Sequence, residues 1–91
     1  MPGTMICHEG LLELKKHDKE NQTQYMETLR VYLEQHLSAT QAARELFIHR
    51  STFLYRLDRI KEILQSELDD PEEIFYLELS FRLLEQEQEK E

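Results

Sequence analysis

Residues 38–64 read SATQAARELFIHRSTFLYRLDRIKEIL, and this stretch holds two helix patterns separated by a short break, which predicts two helices joined by a turn. Ser38 followed by Gln41 has the spacing of a capping box, which predicts that a helix begins directly after Ser38. The apolar side of that helix is small and allows a second helix to cross closely; it holds Ala39, Ala42, Ala43 and Leu46. The pattern is interrupted at residues 47–49, which predicts a tight turn.

The helix after this turn has one apolar face and one polar face. Its apolar residues follow the helical spacing i, i+4, i+7 and i+11, and they are Phe53, Leu57, Ile60 and Leu64. The opposite face holds Ser51, Thr52, Tyr55 and Arg59, with Arg56 on the flank. A short alanine-faced helix, a turn with a buried apolar residue such as Ile48, and an amphipathic helix form the sequence pattern of a helix-turn-helix. In that motif the second helix enters the major groove of DNA.

The polar face of the second helix contains the candidate DNA contacts. We expect base contacts from Arg50, Ser51 and Thr52, because arginine binds guanine through two hydrogen bonds and the hydroxyls allow close approach. Arg50 lies near the apolar side by angle, but in the first turn its long side chain can project off the helix end. Arg56 and Arg59 are the candidates for phosphate contacts. The free backbone N–H groups of the first turn would add a phosphate site.

Simpler interpretations exist for the same residues. The three arginines could form a solvated face with ion pairs along the helix, which is the usual role of charged helix faces. Tyr55 could equally be a half-buried structural residue or a contact to base or phosphate. His49 is interpreted as the N-cap or turn residue of the second helix, and Phe47 stands in the turn where many helix-turn-helix motifs carry glycine.

The charge of the chain is unevenly distributed. The 91 residues carry a formal net charge of −8, with acidic clusters at residues 67–73 and 85–91. Residues 49–61 instead hold four basic residues against Asp58 alone, which gives 4 − 1 = +3. This local basic patch is typical of a surface that meets phosphate groups.

The remaining sequence predicts an all-α domain, a small bundle of about five helices. Only two glycines and two prolines interrupt the helical patterns, and no segment alternates like a strand. Residues 1–22 are expected to contain a short helix at about 10–16 and then the polar connection KKHDKENQ. Residues 23–91 are expected to form the helix-turn-helix domain, with its first helix beginning near Thr23.

A strong start signal precedes the last helix. Asp70, Pro71 and Glu73 supply a cap, a proline at the first helical position and a carboxylate near the positive helix end. We expect this helix to extend over residues 71–86, followed by a frayed acidic tail. Its apolar residues occupy most of the circumference, which predicts that the helix is covered on two sides.

Composition excludes several classes of function. With two glycines there is no glycine-rich phosphate loop, and no nucleophile–base–acid set is recognisable, so we expect neither an enzyme nor a bound cofactor. Cys7, His8 and His17 do not match a zinc-ligand spacing, so no metal site is expected. The chain has no apolar run near the roughly 18 residues of a membrane span and no secretory signal, which predicts a cytoplasmic protein without membrane contact.

The stretch LFIHRSTFLYRLDRI closely resembles the C-terminal helix-turn-helix domain of the PucR and CdaR class of bacterial transcription regulators, whose pattern is close to LxIHRNTLxYRLxRI. The resemblance extends upstream through CHEGLLELKKHDKENQTQYMETLRVYLEQH and downstream through LDDPEEIFYLELSFRLL, about residues 7–84. Ser51 replaces the usual asparagine, which favours a different or weaker base preference. Phe53 replaces the usual leucine, a change on the core side.

The resemblance implies a domain that binds double-stranded DNA at the C-terminal end of a longer regulator of catabolic or metabolic genes. It implies an effector-sensing region that we do not expect within these residues. A homodimer would place two recognition helices about 34 Å apart. The rival interpretation is a helical module that binds protein or dimerises without binding DNA, because the last helix is apolar on so many sides. The two differ over the use of the face bearing Ser51, Thr52 and Arg59.

Overall fold

Five helices follow one another along the chain. The computed structural model describes residues 8–90, with side chains described through residue 85. The helices are α1 (Glu9–Asn21), α2 (Tyr25–Glu34), α3 (Ala39–Leu46), α4 (Arg50–Leu64) and α5 (Pro71–Lys90). No strand occurs among residues 8–90, so the predicted small all-α bundle containing a helix-turn-helix is confirmed.

Helix α2 lies at the centre of the bundle and contacts all four other helices. Leu29 is fully buried there, and the ring of Tyr32 packs against Phe53 of α4 with ring centroids 5.6 Å apart. Helix α4 also packs on α1 and α3. Its predicted apolar face is confirmed, because the buried residues of α4 are Phe53, Leu57, Ile60 and Leu64. The core therefore fixes the rotation of α4 and, with it, the face that α4 shows to solvent.

Helix α1 is longer than its sequence pattern suggests. It extends to Asn21, so the prediction that KKHDKENQ is a connection was wrong. One polar residue in this segment has a structural role: Asp18 accepts hydrogen bonds from the backbone N–H groups of Tyr25 (3.0 Å) and Met26 (2.8 Å). A carboxylate at the first turn of α2 satisfies N–H groups that have no partner within the helix. Helix α2 accordingly begins at Tyr25 and not at Thr23.

Helix α5 begins at the predicted residue, but the described residues cover only one of its sides. Pro71 is its first residue, and the backbone N–H of Glu72 donates to the Asp70 carboxylate at 3.0 Å. The helix continues to Lys90, past the predicted end at residue 86. Its core side consists of Leu77, Ser80, Phe81 and Leu84, which are buried. The opposite side leaves Phe75, Tyr76 and Leu79 exposed, so the predicted cover on two sides is absent from the described part of the chain.

His8 and Glu73 join the start of α1 to α5. The ring of His8 accepts a hydrogen bond from the backbone N–H of Gly10 at 3.0 Å and caps α1, while its Nε2 lies 3.1 Å from a Glu73 oxygen. The backbone N–H of His8 donates to the Ser80 hydroxyl at 2.9 Å. Glu73 also accepts a hydrogen bond from the hydroxyl of Ser66. This bond, with a smaller contribution from His8, holds the pKa of Glu73 below its ordinary value.

Candidate nucleic-acid interface

The turn between α3 and α4 is closed by backbone hydrogen bonds. The Ser38 hydroxyl accepts from the N–H of Gln41 at 3.2 Å, which confirms the predicted cap of α3. At the other end, the N–H of Ile48 donates to the Ala43 carbonyl at 3.1 Å, and the N–H of Phe47 donates to the Arg44 carbonyl at 3.2 Å. This pair of bonds is the Schellman motif, which requires a left-handed residue after the helix. Phe47 occupies that position, with φ 59° and ψ 41°.

The first turn of α4 is open to solvent. His49 is its N-cap, as predicted, with an extended backbone, but its side chain makes no capping hydrogen bond. Arg50, Ser51 and Thr52 are all exposed. The first N–H groups of a helix have no intrahelical acceptor, and the helix dipole places positive charge there. This turn therefore combines free donors, two hydroxyls and a guanidinium on one accessible surface, as an anion site requires.

Tyr55 continues this surface into the next turn of α4. Its side chain is 64% exposed, so the alternative of a half-buried structural residue is wrong. The ring lies on the same side of the helix as Ser51 and Thr52. A phenol in this position offers both a donor and an apolar ring to a partner.

Arg56 and Arg59 are already engaged within the chain. Arg56 is half-buried, and its Nη1 lies 3.4 Å from the hydroxyl oxygen of Thr28 in α2, which is a long hydrogen bond. Arg59 Nη1 lies 2.9 Å from a carboxylate oxygen of Glu62, so the ion pair along the helix is present for this arginine. The exposed ion pair of Arg59 contributes only about 0–1 kcal/mol, and the hydrogen bond of Arg56 is long. A phosphate could therefore compete for either guanidinium.

The net positive charge on α4 lies in its first half, because Arg59 and Lys61 in the second half are balanced by two acidic residues. Asp58 and Glu62 are both exposed and lie on the same side as Tyr55. The second half has no net charge and attracts an anionic ligand less than the first half, so the surface with net positive charge is residues 50–56.

Two further residues border this surface and were not among the candidates from the sequence. Arg44 is exposed in the last turn of α3, on the side opposite the buried alanines. The same helical projection that we used for α4 would have identified it. Phe47 is 94% exposed, and the signal that could have identified it is an aromatic residue in a turn that favours glycine.

Comparison with known proteins identifies the family. The model of the PucR C-terminal helix-turn-helix domain matches residues 25–83, from the first residue of α2 to the final part of α5. The chain belongs to this family. The match covers the motif at residues 38–64 and both helices that enclose it, whereas α1 lies outside the matched range.

Curated relatives of this PucR-type domain are bacterial regulators. The chain is 38% identical over 73 residues to the purine catabolism regulatory protein of Bacillus subtilis, covering 80% of this chain and 14% of that protein. It is 36% identical over 63 residues to the proline-responsive transcriptional activator PutR of the same organism, covering 69% and 15%. For the DNA-binding transcriptional activator AdeR, also from that organism, the identity is 32% over 74 residues, covering 81% and 18%. The chain thus spans less than a fifth of the length of these relatives, and no solved structure matches it.

The histidines considered as metal ligands have other partners in this domain. His8 bonds to Gly10 and Glu73, as described above, and His17 Nδ1 lies 3.2 Å from the Thr23 hydroxyl oxygen. Cys7 lies outside the described residues. Within the described part of the chain, no three histidine, cysteine or carboxylate side chains are grouped as a metal site would require. Among the same residues, no helix is both long enough and apolar enough to cross a membrane.

Proposed function

We propose that this PucR-type domain binds double-stranded DNA in a sequence-specific manner and that α4 enters the major groove. The observation that carries the proposal is the open first half of α4, where a basic and hydroxyl-bearing surface faces solvent while the opposite face is fixed in the core. The acidic residues of the second half, Asp58 and Glu62, orient the DNA toward the helix start. The three bacterial regulators described above, one of them named as DNA-binding, support the same function.

The proposed contacts follow from the position of each side chain. Arg50, Ser51 and Thr52 lie at the exposed helix start and contact base edges. Arg56 and Arg59 contact phosphates by exchanging their present partners, Thr28 and Glu62, for phosphate oxygens. Tyr55, with its exposed ring, contacts either a base or a phosphate.

The regulator that we propose acts in the cytoplasm as a homodimer. Two copies related by a two-fold axis would set their α4 helices about 34 Å apart, in major-groove segments one turn from each other. Effector sensing would be carried out by a region outside these 91 residues, because the matched relatives are several times longer than the matched segment.

A DNA titration with matched arginine variants tests the proposed function. Fluorescence anisotropy is measured with a pool of random duplexes at two salt concentrations, for the wild type and for the double variant Arg50→Ala with Arg59→Ala. We expect the wild-type affinity to fall with salt and the double variant to bind about tenfold or more weakly, since each contact contributes about 1 kcal/mol or more.

The control for this titration removes the same amount of charge elsewhere. Lys19 and Arg82 are exposed on α1 and α5, and the double variant Lys19→Ala with Arg82→Ala should bind within about twofold of the wild type. If the two double variants lose the same DNA affinity, binding depends on the overall charge of the domain and not on the α4 surface. Circular dichroism verifies that each variant is folded, and a folded wild type that binds no DNA at low salt would contradict the proposal.

The exposed side of α5 supports a second function, contact with protein. Phe75, Tyr76 and Leu79 are 68%, 40% and 43% exposed on one side of this helix. Apolar residues grouped on a surface are typical of protein contacts. If this face forms the homodimer, Leu79→Glu should yield a monomer in sedimentation equilibrium where the wild type is dimeric. A module that binds protein through α4 instead would lose its partner, and not DNA, when Arg59 is replaced by glutamate.

A further inference from the structure

Phe47 has a conformation and an environment that the contacts among the described residues do not explain. Its backbone is left-handed, with φ 59°, a region where a residue with a Cβ atom is disfavoured relative to glycine. Its side chain is 94% exposed, so no burial of the ring offsets this cost. Glycine would close the same Schellman motif without strain and without placing an aromatic ring in water. An intermolecular contact would give the ring the burial that the free domain does not.

The surroundings of Phe47 indicate the charge of the partner. Arg44 lies three residues before it and Arg50 three residues after it, and both are exposed. His49, the N-cap of α4, is exposed as well. Glu45 is the nearest acidic residue in the sequence, and residues 46–57 contain none. A ring with an exposed arginine three residues away on each side, next to the free N–H groups of a helix start, fits an anionic partner.

We propose that Phe47 is a DNA contact, whose ring packs on apolar atoms of the duplex beside the groove that α4 enters. The proposal rests on the proposed function and extends it to a residue of the turn. DNA offers two apolar surfaces at such a position, the deoxyribose ring and the methyl group of thymine. Phe47 thereby supplies contact area at the edge of the interface, next to the base contacts of Arg50.

The variant Phe47→Gly tests the proposal because the two effects have opposite signs. Removal of the Cβ atom relieves the left-handed backbone, so resistance to urea should stay equal or rise. Loss of the ring removes the DNA contact, so affinity in the anisotropy titration should fall about fivefold or more. Gln65→Gly is the matched control, since Gln65 is also exposed and left-handed, with φ 56°, at the other end of α4. It should relieve the backbone equally and leave DNA affinity unchanged.

Two further variants separate the ring from the stiffness of the turn. Phe47→Asn keeps a side chain suited to the left-handed region but has no ring, and it should bind as weakly as Phe47→Gly. Phe47→Tyr keeps the ring and should bind like the wild type. Full affinity in the asparagine variant would overturn the proposal, because a stiff turn would then suffice.

The remaining outcomes distinguish this proposal from the function on which it rests. If Arg50→Ala weakens DNA binding but Phe47→Gly does not, the proposed function stands and the inference about Phe47 is overturned, with the ring left to a protein partner. If the folded wild type binds no DNA, both are overturned. Duplexes with deoxyuridine in place of thymidine identify the surface: weaker binding by the wild type, but not by Phe47→Gly, assigns the thymine methyl group, and equal binding assigns the deoxyribose.

Discussion

The first half of α4 and the outer side of α5 are both uncovered, and their chemistry is opposite. On α4 the accessible residues are a guanidinium and two hydroxyls at an open helix start, Arg50, Ser51 and Thr52. On α5 the accessible residues are apolar, and exposed glutamates such as Glu72 and Glu78 flank them. The former surface suits an anion and the latter suits a protein, so one small domain has room for two kinds of partner. A net charge of −8 would have suggested neither.

The difference also shows how the core controls a surface. Helix α4 is packed against three neighbours, and its exposed face is what remains after Phe53 and Ile60 have been buried without any exposed area. Helix α5 makes its main helix contact with α2, so a larger part of its circumference stays open. The packing of α4 on three helices therefore fixes which of its residues are exposed. On α5 the exposed residues are those that no other described helix covers.

The largest expected effect is on the free energy of unfolding, and it differs between two phenylalanine variants, one in α4 and one in α5. Phe53→Ala removes a fully buried ring from α4 and should reduce the free energy of unfolding by about 3–5 kcal/mol. Phe75→Ala removes a ring that is 68% exposed on α5 and should change it by no more than about 0.5 kcal/mol. Urea denaturation of both variants measures the difference. A large loss in Phe75→Ala would show that the outer side of α5 is covered after all.

A smaller effect concerns the bonds that attach the base of α5. Glu73→Gln weakens the contacts with Ser66 and His8 and should cost about 1 kcal/mol at pH 7, a modest amount because the carboxylate is partly exposed. Because folding lowers the pKa of Glu73, its contribution is present above the ordinary glutamate pKa of about 4.3 and is lost as the pH falls through the lower pKa of the folded state.

The pH dependence of unfolding tests this account of Glu73. The difference in stability between the wild type and Glu73→Gln should shrink as the pH is lowered below about 4. Glu78→Gln, at an exposed position of the same helix, is the control and should show little difference at any pH. A difference for Glu73→Gln that persists unchanged at low pH would mean that the charge of the carboxylate is not involved.

The smallest expected effect tests whether the acidic residues in the second half of α4 weaken DNA binding. Glu62→Gln releases Arg59 from its ion pair and removes a negative charge from the second half of the helix. DNA affinity at low salt should increase about two- to fivefold, which corresponds to the small energy of an exposed pair. Glu20→Gln on α1 makes the same change of charge at an exposed position outside the interface and should have less effect. Equal increases for the two variants would show that only the total charge matters.

Local signals in the sequence predicted the elements that position the interface. The spacing of Phe53, Leu57, Ile60 and Leu64 predicted the buried face of α4, and all four are buried. Ser38 and Pro71 predicted the starts of α3 and α5, because caps and first-turn prolines act through neighbouring backbone groups only. The family resemblance, confirmed over residues 25–83, depended on the same stretch.

Features that depend on distant contacts were not predicted. The polar segment at the end of α1 has no apolar residues at helical spacing, so its helical structure was not predicted. Its Asp18 caps α2, which the sequence pattern of α1 alone does not show. The apolar pattern of α5 did not reveal which side would be left without a neighbour. The partner of Arg56 also depended on packing, since Thr28 is far from it in sequence. The Arg59–Glu62 pair is local and matches the ion pairs along the helix that the sequence allowed.

We propose that DNA binds the exposed surface centred on the first half of α4 and not the outer side of α5. Backbone amide chemical shifts of the ¹⁵N-labelled chain, recorded during titration with a short duplex, test it residue by residue. We expect the amides of residues 44–59 to shift in proportion to bound DNA while those of residues 72–79 stay in place. Shifts centred on residues 72–79, or a bound state in which Arg50 to Thr52 do not respond, would contradict it.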